Sequence, residues 1–426
     1  MRAGDNYCPG ILNAVPTKDG LLIRIRIPGG LIQAEQLSAI AKASCTQADG
    51  QVEITSRANI QLRAIRADRL PQVIEELTAA GLLPSPAHDK VRNIVASPLA
   101  GVDDQEICDT RPLVRLLDQR LLADPFLADL PPKFSMAMDG GGRWFSDEIE
   151  DLTLRAFHAE NAVLWHLLIG GVSTGLAVAA EKAVACLLAA ARSCLRASRE
   201  FEITARGRAL AADPAAWERI VSELSRSMVP FAPPQIFRRA ADSPIGLVAS
   251  KDQHFVHLVP SIALGRLSAD QAREIAAVAA DRKLDLRLAP WRGIVVGCVP
   301  KQDADQPAGL LRSMGLSLDG TDGYRGISAC AGITGCDASL ADVRNDAAAL
   351  ARVLAGRVPK AGWRVNVAGC EKQCAMRTRA TVQLVAGEAG YRMTLNETSV
   401  SEGHSADRAI AAIASLHAGL LSEVSR

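Results

Sequence analysis

Residues 326–336 read GISACAGITGC and residues 367–375 read VAGCEKQCA. Together they contain Cys330-x5-Cys336 and Cys370-x3-Cys374, with 33 residues between the two pairs. Paired cysteines in a chain with no sign of secretion are better read as metal ligands than as disulfides. Three readings fit the residue types: a structural zinc, an iron–sulfur cluster, or four small apolar core residues. Zinc sites usually pair cysteines two to four residues apart, so the x3 pair fits zinc and the x5 pair does not. If residues 369–375 open a helix, Cys370 and Cys374 stand on one face. Gly332, Gly335 and Gly369 would let the backbone approach a bulky centre.

The rest of the chain must supply a scaffold for those thiols, and its composition limits which kind. There are 426 residues, with 48 Lys+Arg against 47 Asp+Glu, and 8 Phe, 5 Trp and 3 Tyr. That length suits about three domains. Charge balance leaves no overall basic footprint for a nucleic-acid backbone, and so few aromatics leave few base-stacking platforms, so no nucleic-acid partner is expected. The start of the chain has no apolar run of about 7–15 residues, so a cytoplasmic location is expected. Residues 172–191, VSTGLAVAAEKAVACLLAAA, are broken by Glu181 and Lys182 and read as an amphipathic or buried helix, which predicts no membrane segment.

Residues 19–27, DGLLIRIRI, alternate with period two, placing Leu22, Arg24 and Arg26 on one face and Ile23, Ile25 and Ile27 on the other. Pro28, Gly29 and Gly30 end the strand, and Leu31, Ala34, Leu37, Ile40 and Ala41 then recur at helical spacing. Residues 51–65 predict a further strand pair and residues 70–83 a second helix. This order of strand, helix and strand returns roughly 235 residues later: Ala34-Glu35-Gln36 and Ile40-Ala41 recur as Ala269-Asp270-Gln271 and Ile275-Ala276. After a one-residue shift, residues 54–60 fall on 288–294, which predicts a duplicated module and a site between two related halves. A longer mixed segment follows each module. In the first, residues 151–171 look strand-like and residues 174–197 helical; Pro230, Pro233 and Pro234 mark the best internal boundary.

With these blocks in view, the chain resembles the sirohaem-containing nitrite and sulfite reductases. C-x5-C followed by C-x3-C is similar to their 4Fe-4S signature, and residues 22–30, 53–65, 91–103 (VRNIVASPLAGVD) and 130–138 (LPPKFSMAM) resemble successive blocks of that family. The resemblance implies an α+β fold of two ferredoxin-like modules, residues 1–85 and 233–302, and two larger α/β domains, residues 86–232 and 303–426, about a pseudo-twofold axis. It implies a 4Fe-4S cluster on Cys330, Cys336, Cys370 and Cys374, with Cys374 at the position that bridges to the sirohaem iron in the family. It further implies that Arg57, Arg92 and Lys133 are catalytic, matching two anion-binding arginines and the first of two lysines. The second lysine falls on Ser135.

That loss and the short chain resemble the family's cobalamin-pathway branch, the precorrin-3B synthases. Membership implies an O2-dependent monooxygenation of precorrin-3A, with lactone closure and NADH as the source of electrons; sirohaem and nitrite or sulfite belong to the alternative. Arginine pairs with carboxylates in a bidentate fork, so Arg24, Arg26 and Arg63, beside Arg57 and Arg92, are candidate clamps for a polycarboxylate tetrapyrrole. The branch also implies a mononuclear non-haem iron. His254 and His257, three apart on an expected strand, would face opposite ways, and His158 and His166 lie too far apart along a strand to share a metal. No G-x-G-x-x-G follows a strand, so electrons are expected through a separate reductase or ferredoxin. Cys186, Cys194 and Cys298 read as apolar filler.

Overall fold

The computed structural model describes residues 8–159, 162–232, 243–357, 363–376, 378 and 380–424; Pro233 and Pro234 of the expected boundary lie outside them. In chain order the first segment forms β1 (Val15–Thr17), β2 (Gly20–Ile25), β3 (Leu31–Ile32), α1 (Ala34–Gln47), β4 (Gln51–Ile54), β5 (Ile60–Ile65) and α2 (Leu70–Ala79). Ile23, Ile25 and Ile27 are at most 2% exposed, so the apolar face of the alternating stretch is core.

Next come β6 (Ile94–Ala96), α3 (Arg111–Leu122), β7 (Met136–Asp139), β8 (Leu152–Ala159), β9 (Ala162–Ile169), β10 (Val172–Ala179), α4 (Ala183–Glu200), α5 (Gly207–Ala212), α6 (Pro214–Leu224) and β11 (Val229–Pro230). Here the helix expected from residue 174 is corrected. Gly170 and Gly171, at φ +58° and +84°, turn the chain so that β10 folds back antiparallel on β9, and α4 starts only at Ala183. Strands β8 and β9 likewise pair antiparallel, with Arg155 opposite His166 and His158 opposite Val163.

The second module repeats the first: β12 (Gly246–Ala249), β13 (Phe255–Val259), β14 (Arg266–Ser268), α7 (Ala269–Arg282), β15 (Asp285–Ala289), β16 (Gly293–Pro300) and α8 (Asp305–Ser313). Helices α1 and α7 are both 14 residues long and start 235 residues apart. After the helices the offset is 234. The left-handed residues Ala58 and Ala64, φ +53° and +55°, recur as Arg292 and Cys298, φ +62° and +56°. The last segment holds β17 (Ile327–Ala329), α9 (Gly332–Gly335), α10 (Val343–Leu354), β18 (Val365–Ala368), β19 (Val382–Gly387), β20 (Gly390–Leu395), β21 (Thr398–His404) and α11 (Ala406–Val424).

The modules exchange strands. One sheet runs β1-β2-β5-β4-β14 and the other β12-β13-β16-β15-β3, so each takes its last strand from the opposite half. The exchange requires close backbone approach at Gly30, φ +72°, where a Cβ would lie 2.3 Å from the Leu288 carbonyl oxygen. A single apolar core results, in which Ile25, Leu37, Ile40 and Leu62 join Leu258, Ile275, Leu288 and Ile294. The larger domains are also related. The sheet β11-β10-β9-β8-β7-β6 and the sheet β17-β18-β19-β20-β21 each join three parallel strands to an antiparallel extension.

Symmetry breaks on the outer sheet faces. Leu22, Arg24, Gln61 and Arg63 of the first sheet line a cleft, whereas their counterparts in the second sheet are His257, Val259, Val295 and Gly297. There Leu99 and Val102 pack on Val259 and Val295, and Arg287 donates to the carbonyls of Pro98 and Ala100 at 3.1 and 2.6 Å. Residues 97–103 therefore plug the second face. His257 is 1% exposed and its Nδ1 accepts the Cys298 backbone N–H at 3.1 Å. Burial foremost, then Arg287, pushes its pKa down to about 4.

Gly30→Ala should lower the thermal unfolding midpoint far more than Gly50→Ala. Both residues are left-handed, but around Gly50 nothing lies within 4 Å of a Cβ; strain alone costs about 1–2 kcal/mol, and the Gly30 clash should add at least about 2 kcal/mol. Equal losses would contradict the packing constraint.

A neutral buried histidine gives full stability above its unfolded pKa of about 6.5 and loses it as pH falls towards the folded value, by on the order of 3 kcal/mol. His257→Gln should flatten urea-unfolding stability between about pH 6.5 and 4 relative to the parent. Part of the slope should remain, because burial also pushes His166 down to about 4.

Candidate functional site

The open face of the first sheet, the cysteine-bearing segments and residues 132–133 enclose a cleft of about 800 Å³. Its size suits a cofactor or a substrate of several rings. Period two in β2 aims Arg24 into it, and Arg26 continues the same face beyond the strand; Gln61 and Arg63 follow on β5. Ten cationic side chains line the cleft (Lys18, Arg24, Arg26, Arg57, Arg63, Lys133, Arg266, Arg292, Arg344 and Lys372) against three carboxylates, Glu53, Glu148 and Asp337. Arg57, Arg63, Arg266 and Arg344 are ion-paired to Glu148, Glu150, Asp19, Asp49 or Glu53, yet cations still outnumber acids in the cleft, whose low-dielectric walls strengthen the attraction for anions.

The cations differ in how they are held. Arg26 is 2% exposed; it donates to the carbonyls of Pro9 and Arg24 and approaches the Cys8 sulfur at 3.9 Å. Its Nε has no partner among the described residues. Burial, then repulsion from Arg24, lowers its pKa to about 10. Arg24 donates to the Gln61 side-chain oxygen at 3.2 Å.

Arg57 is the opposite case. Its Nε binds Glu150 and its Nη2 binds Glu148, each at 2.9 Å, and the Ser56 hydroxyl bonds the same Glu148. Burial opposes the guanidinium charge, but the two carboxylates outweigh it and hold the pKa above the ordinary arginine value. Burial pushes the Glu150 carboxyl up, and Arg57 offsets only part of that.

Of the residues singled out by sequence, Arg24, Arg26, Arg57, Arg63, Lys133 and all four paired cysteines line this one cleft. Arg92 is not among its lining residues; its Nε and Nη2 grip Asp118 of α3 at 2.8 and 2.7 Å. Ser135 is fully buried, and its backbone N–H and hydroxyl both donate to Asp151 Oδ2, at 2.9 and 3.2 Å. Arg63 is bidentate to Asp19, at 2.9 Å for both bonds, and also donates to the Gly335 carbonyl at 2.6 Å. His254 is exposed before β13 while His257 is buried.

Sequence reading missed Glu148, Glu150 and Asp19, because short acidic runs usually mark solvated surface. It also missed Arg292 and Arg344, which approach from elements remote in sequence. The E-x-E spacing of 148 and 150 in a strand-flanking segment was the available signal, since alternate residues share a side.

Helix formation at Cys370 is corrected. Residues 369–375 are turns, and Gln373 at φ +45° stops any helical run. The four sulfurs still share the cleft wall. Gly369 N–H donates to the Cys330 sulfur at 3.3 Å, the bond that stabilises a thiolate ligand. A Cβ on Gly369 would meet Ser339 Oγ at 1.9 Å, and one on Gly335 would meet Arg63 at 2.8 Å, so both glycines are needed for the cradle. Among the described residues, no three His, Cys, Asp or Glu side chains converge as a single metal ion requires. These features fit a bulky iron–sulfur centre; no site for a mononuclear iron is found among those residues. Nor is any described helix long and apolar enough to cross a membrane.

Comparison with known proteins agrees with this architecture. Residues 14–80 and 248–312, the two strand-exchanged modules, match "Nitrite/Sulfite reductase ferredoxin-like half domain". Residues 87–196 match "Nitrite and sulphite reductase 4Fe-4S domain", whose name supports an iron–sulfur cluster although this matched copy precedes the four paired cysteines. Together the matches span more than half of the chain. Precorrin-3B synthase of Sinorhizobium sp is 29% identical over 403 residues, 93% of this chain and 83% of its own length. Ferredoxin–nitrite reductase of Synechococcus elongatus is 27% identical over 402 residues, 88% of this chain and 78% of its own. The solved NirA protein of Mycobacterium tuberculosis superposes with a TM-score of 0.75 at 21% identity, covering 92% of this chain and 79% of its own, which shows the fold. With its duplicated modules, its paired cysteines and these matches, the chain belongs to the nitrite/sulfite reductase family of oxidoreductases.

Proposed function

We propose that the cleft takes a polycarboxylate tetrapyrrole as its substrate, and that the protein is a precorrin-3B synthase-like monooxygenase of aerobic cobalamin biosynthesis. It hydroxylates precorrin-3A at C20 and closes the ring A acetate onto the macrocycle as a lactone. One atom of O2 enters the product; the other leaves as water with two electrons and two protons. Those electrons derive from NADH and reach the protein through a separate reductase or ferredoxin. In this reading Cys330, Cys336, Cys370 and Cys374 hold a 4Fe-4S cluster, which supplies one-electron transfer when bound.

One observation carries the choice between tetrapyrrole oxidation and anion reduction: Arg57 is locked between Glu148 and Glu150. Reducing nitrite or sulfite calls for positive donors free to stabilise a small anion and to deliver protons. Here the matching arginine is more than neutralised, Arg92 is spent on Asp118 and the second lysine is the buried Ser135. The Arg24 and Arg26 face adds guanidinium charge whose spread suits several carboxylates at once. Substrate carboxylates binding there would hold the macrocycle against the thiol-bearing wall and exclude water from it.

The test is turnover of precorrin-3A by the anaerobically purified protein, supplied with O2, NADH and a reductase. A product heavier by one oxygen atom is expected. Reduction of nitrite or sulfite with a dye donor, without precorrin oxidation, would contradict the proposal. Arg24→Met should weaken tetrapyrrole binding roughly tenfold by fluorescence titration, the loss of one charge-assisted contact.

A further inference from the structure

We infer that Arg63 and Arg292, one from each ferredoxin-like module, are positioning residues that clasp the two cysteine loops and set the reduction potential of the iron–sulfur centre. This rests on the cluster reading above. Arg63, on β5, donates to the carbonyl of Gly335, the residue before Cys336, at 2.6 Å. Arg292, at the left-handed turn between β15 and β16, donates to the carbonyl of Ala375, the residue after Cys374, at 2.5 Å. Each loop thus has the residue next to one of its cysteines held by a guanidinium from outside its own domain. Both side chains line the cleft wall that carries the four sulfurs.

Their electrostatic settings are opposite. Arg63 lies in a bidentate pair with Asp19, which screens its charge. Arg292 forms no ion pair among the described residues; it donates to a neutral carbonyl, and Glu53 and Glu148 act on its charge only from beyond contact distance. Reduction adds an electron to a centre already negative through its thiolates, and a nearby cation outside any ion pair favours that reduced form. The charge of Arg292 therefore raises the potential. Asp19 opposes Arg63, so removing Asp19 uncovers a second cation beside Cys336.

Reading it directly takes a mediated, EPR-monitored dithionite titration of the whole protein, with iron and sulfide analysis alongside. Arg292→Gln should keep its iron and sulfide yet lower the midpoint enough to change the oxidised-to-reduced ratio at least tenfold at fixed potential, about 59 mV for one electron. Arg292→Lys should restore most of the shift, which loss of packing alone would not allow. Asp19→Asn should move the midpoint the other way. If Arg292→Gln loses its iron, Asp19→Asn decides: an upward shift supports the assignment and an unmoved midpoint overturns it. Parent midpoints in all three variants with full iron content also overturn it. Parent protein devoid of iron and sulfide overturns the cluster reading itself, a different failure seen before any titration.

Discussion

The approach of Gly30 to the Leu288 carbonyl, 2.3 Å from where a Cβ would sit, ties the molecule together. Only a residue without a side chain can stand there, and because it does, β3 completes the second module's sheet while β14 completes the first. The two modules then share one core and cannot move independently. Their outer faces are presented in fixed directions, the first towards the paired cysteines and the second towards residues 97–103. A duplicated fold would otherwise offer two equal clefts. Leu99, Val102 and the Arg287 hydrogen bonds fill one of them, leaving a single site where both halves contribute charge.

That site gives meaning to a composition that first looked uninformative. Near-equal numbers of acidic and basic residues coexist with ten cations against three carboxylates along one cleft. Within the cleft, charge is divided by function. Arg57 is neutralised where the related reductases are expected to grip a small anion, while Arg24 and Arg26 keep their charge along the strand face. Arginines gripped by acids serve as struts. The same division separates Arg63, screened by Asp19, from Arg292, which carries its charge beside Ala375 outside any ion pair among the described residues.

Much of this was legible in the sequence. Period two in residues 19–27 gave the core and cleft faces, and the recurrence of Ala-Glu-Gln as Ala-Asp-Gln marked α1 and α7 at their true offset. The four cysteines and five of the six basic residues singled out do meet in one cleft. Residues 172–179 were misread because a run of small apolar residues has no periodicity to separate strand from helix; the two left-handed glycines before it decided the matter. Strand exchange was invisible, since β3 has two residues and their partners lie 254 and 256 residues away. Arg92 and Arg63 looked like ligand clamps because their acidic partners, Asp118 and Asp19, are 26 and 44 residues distant. Charge pairing across such separations is set by topology, which local pattern does not report.

The central claim is that the tetrapyrrole visits this cleft as a substrate and does not reside there as sirohaem. The absorption spectrum of the protein isolated without oxygen tests it most directly. A cleft that takes the tetrapyrrole only as substrate leaves the broad sulfur-to-iron absorption of a bare cluster, bleached by dithionite, with no haem band. A sharp haem band with one sirohaem per chain would contradict it.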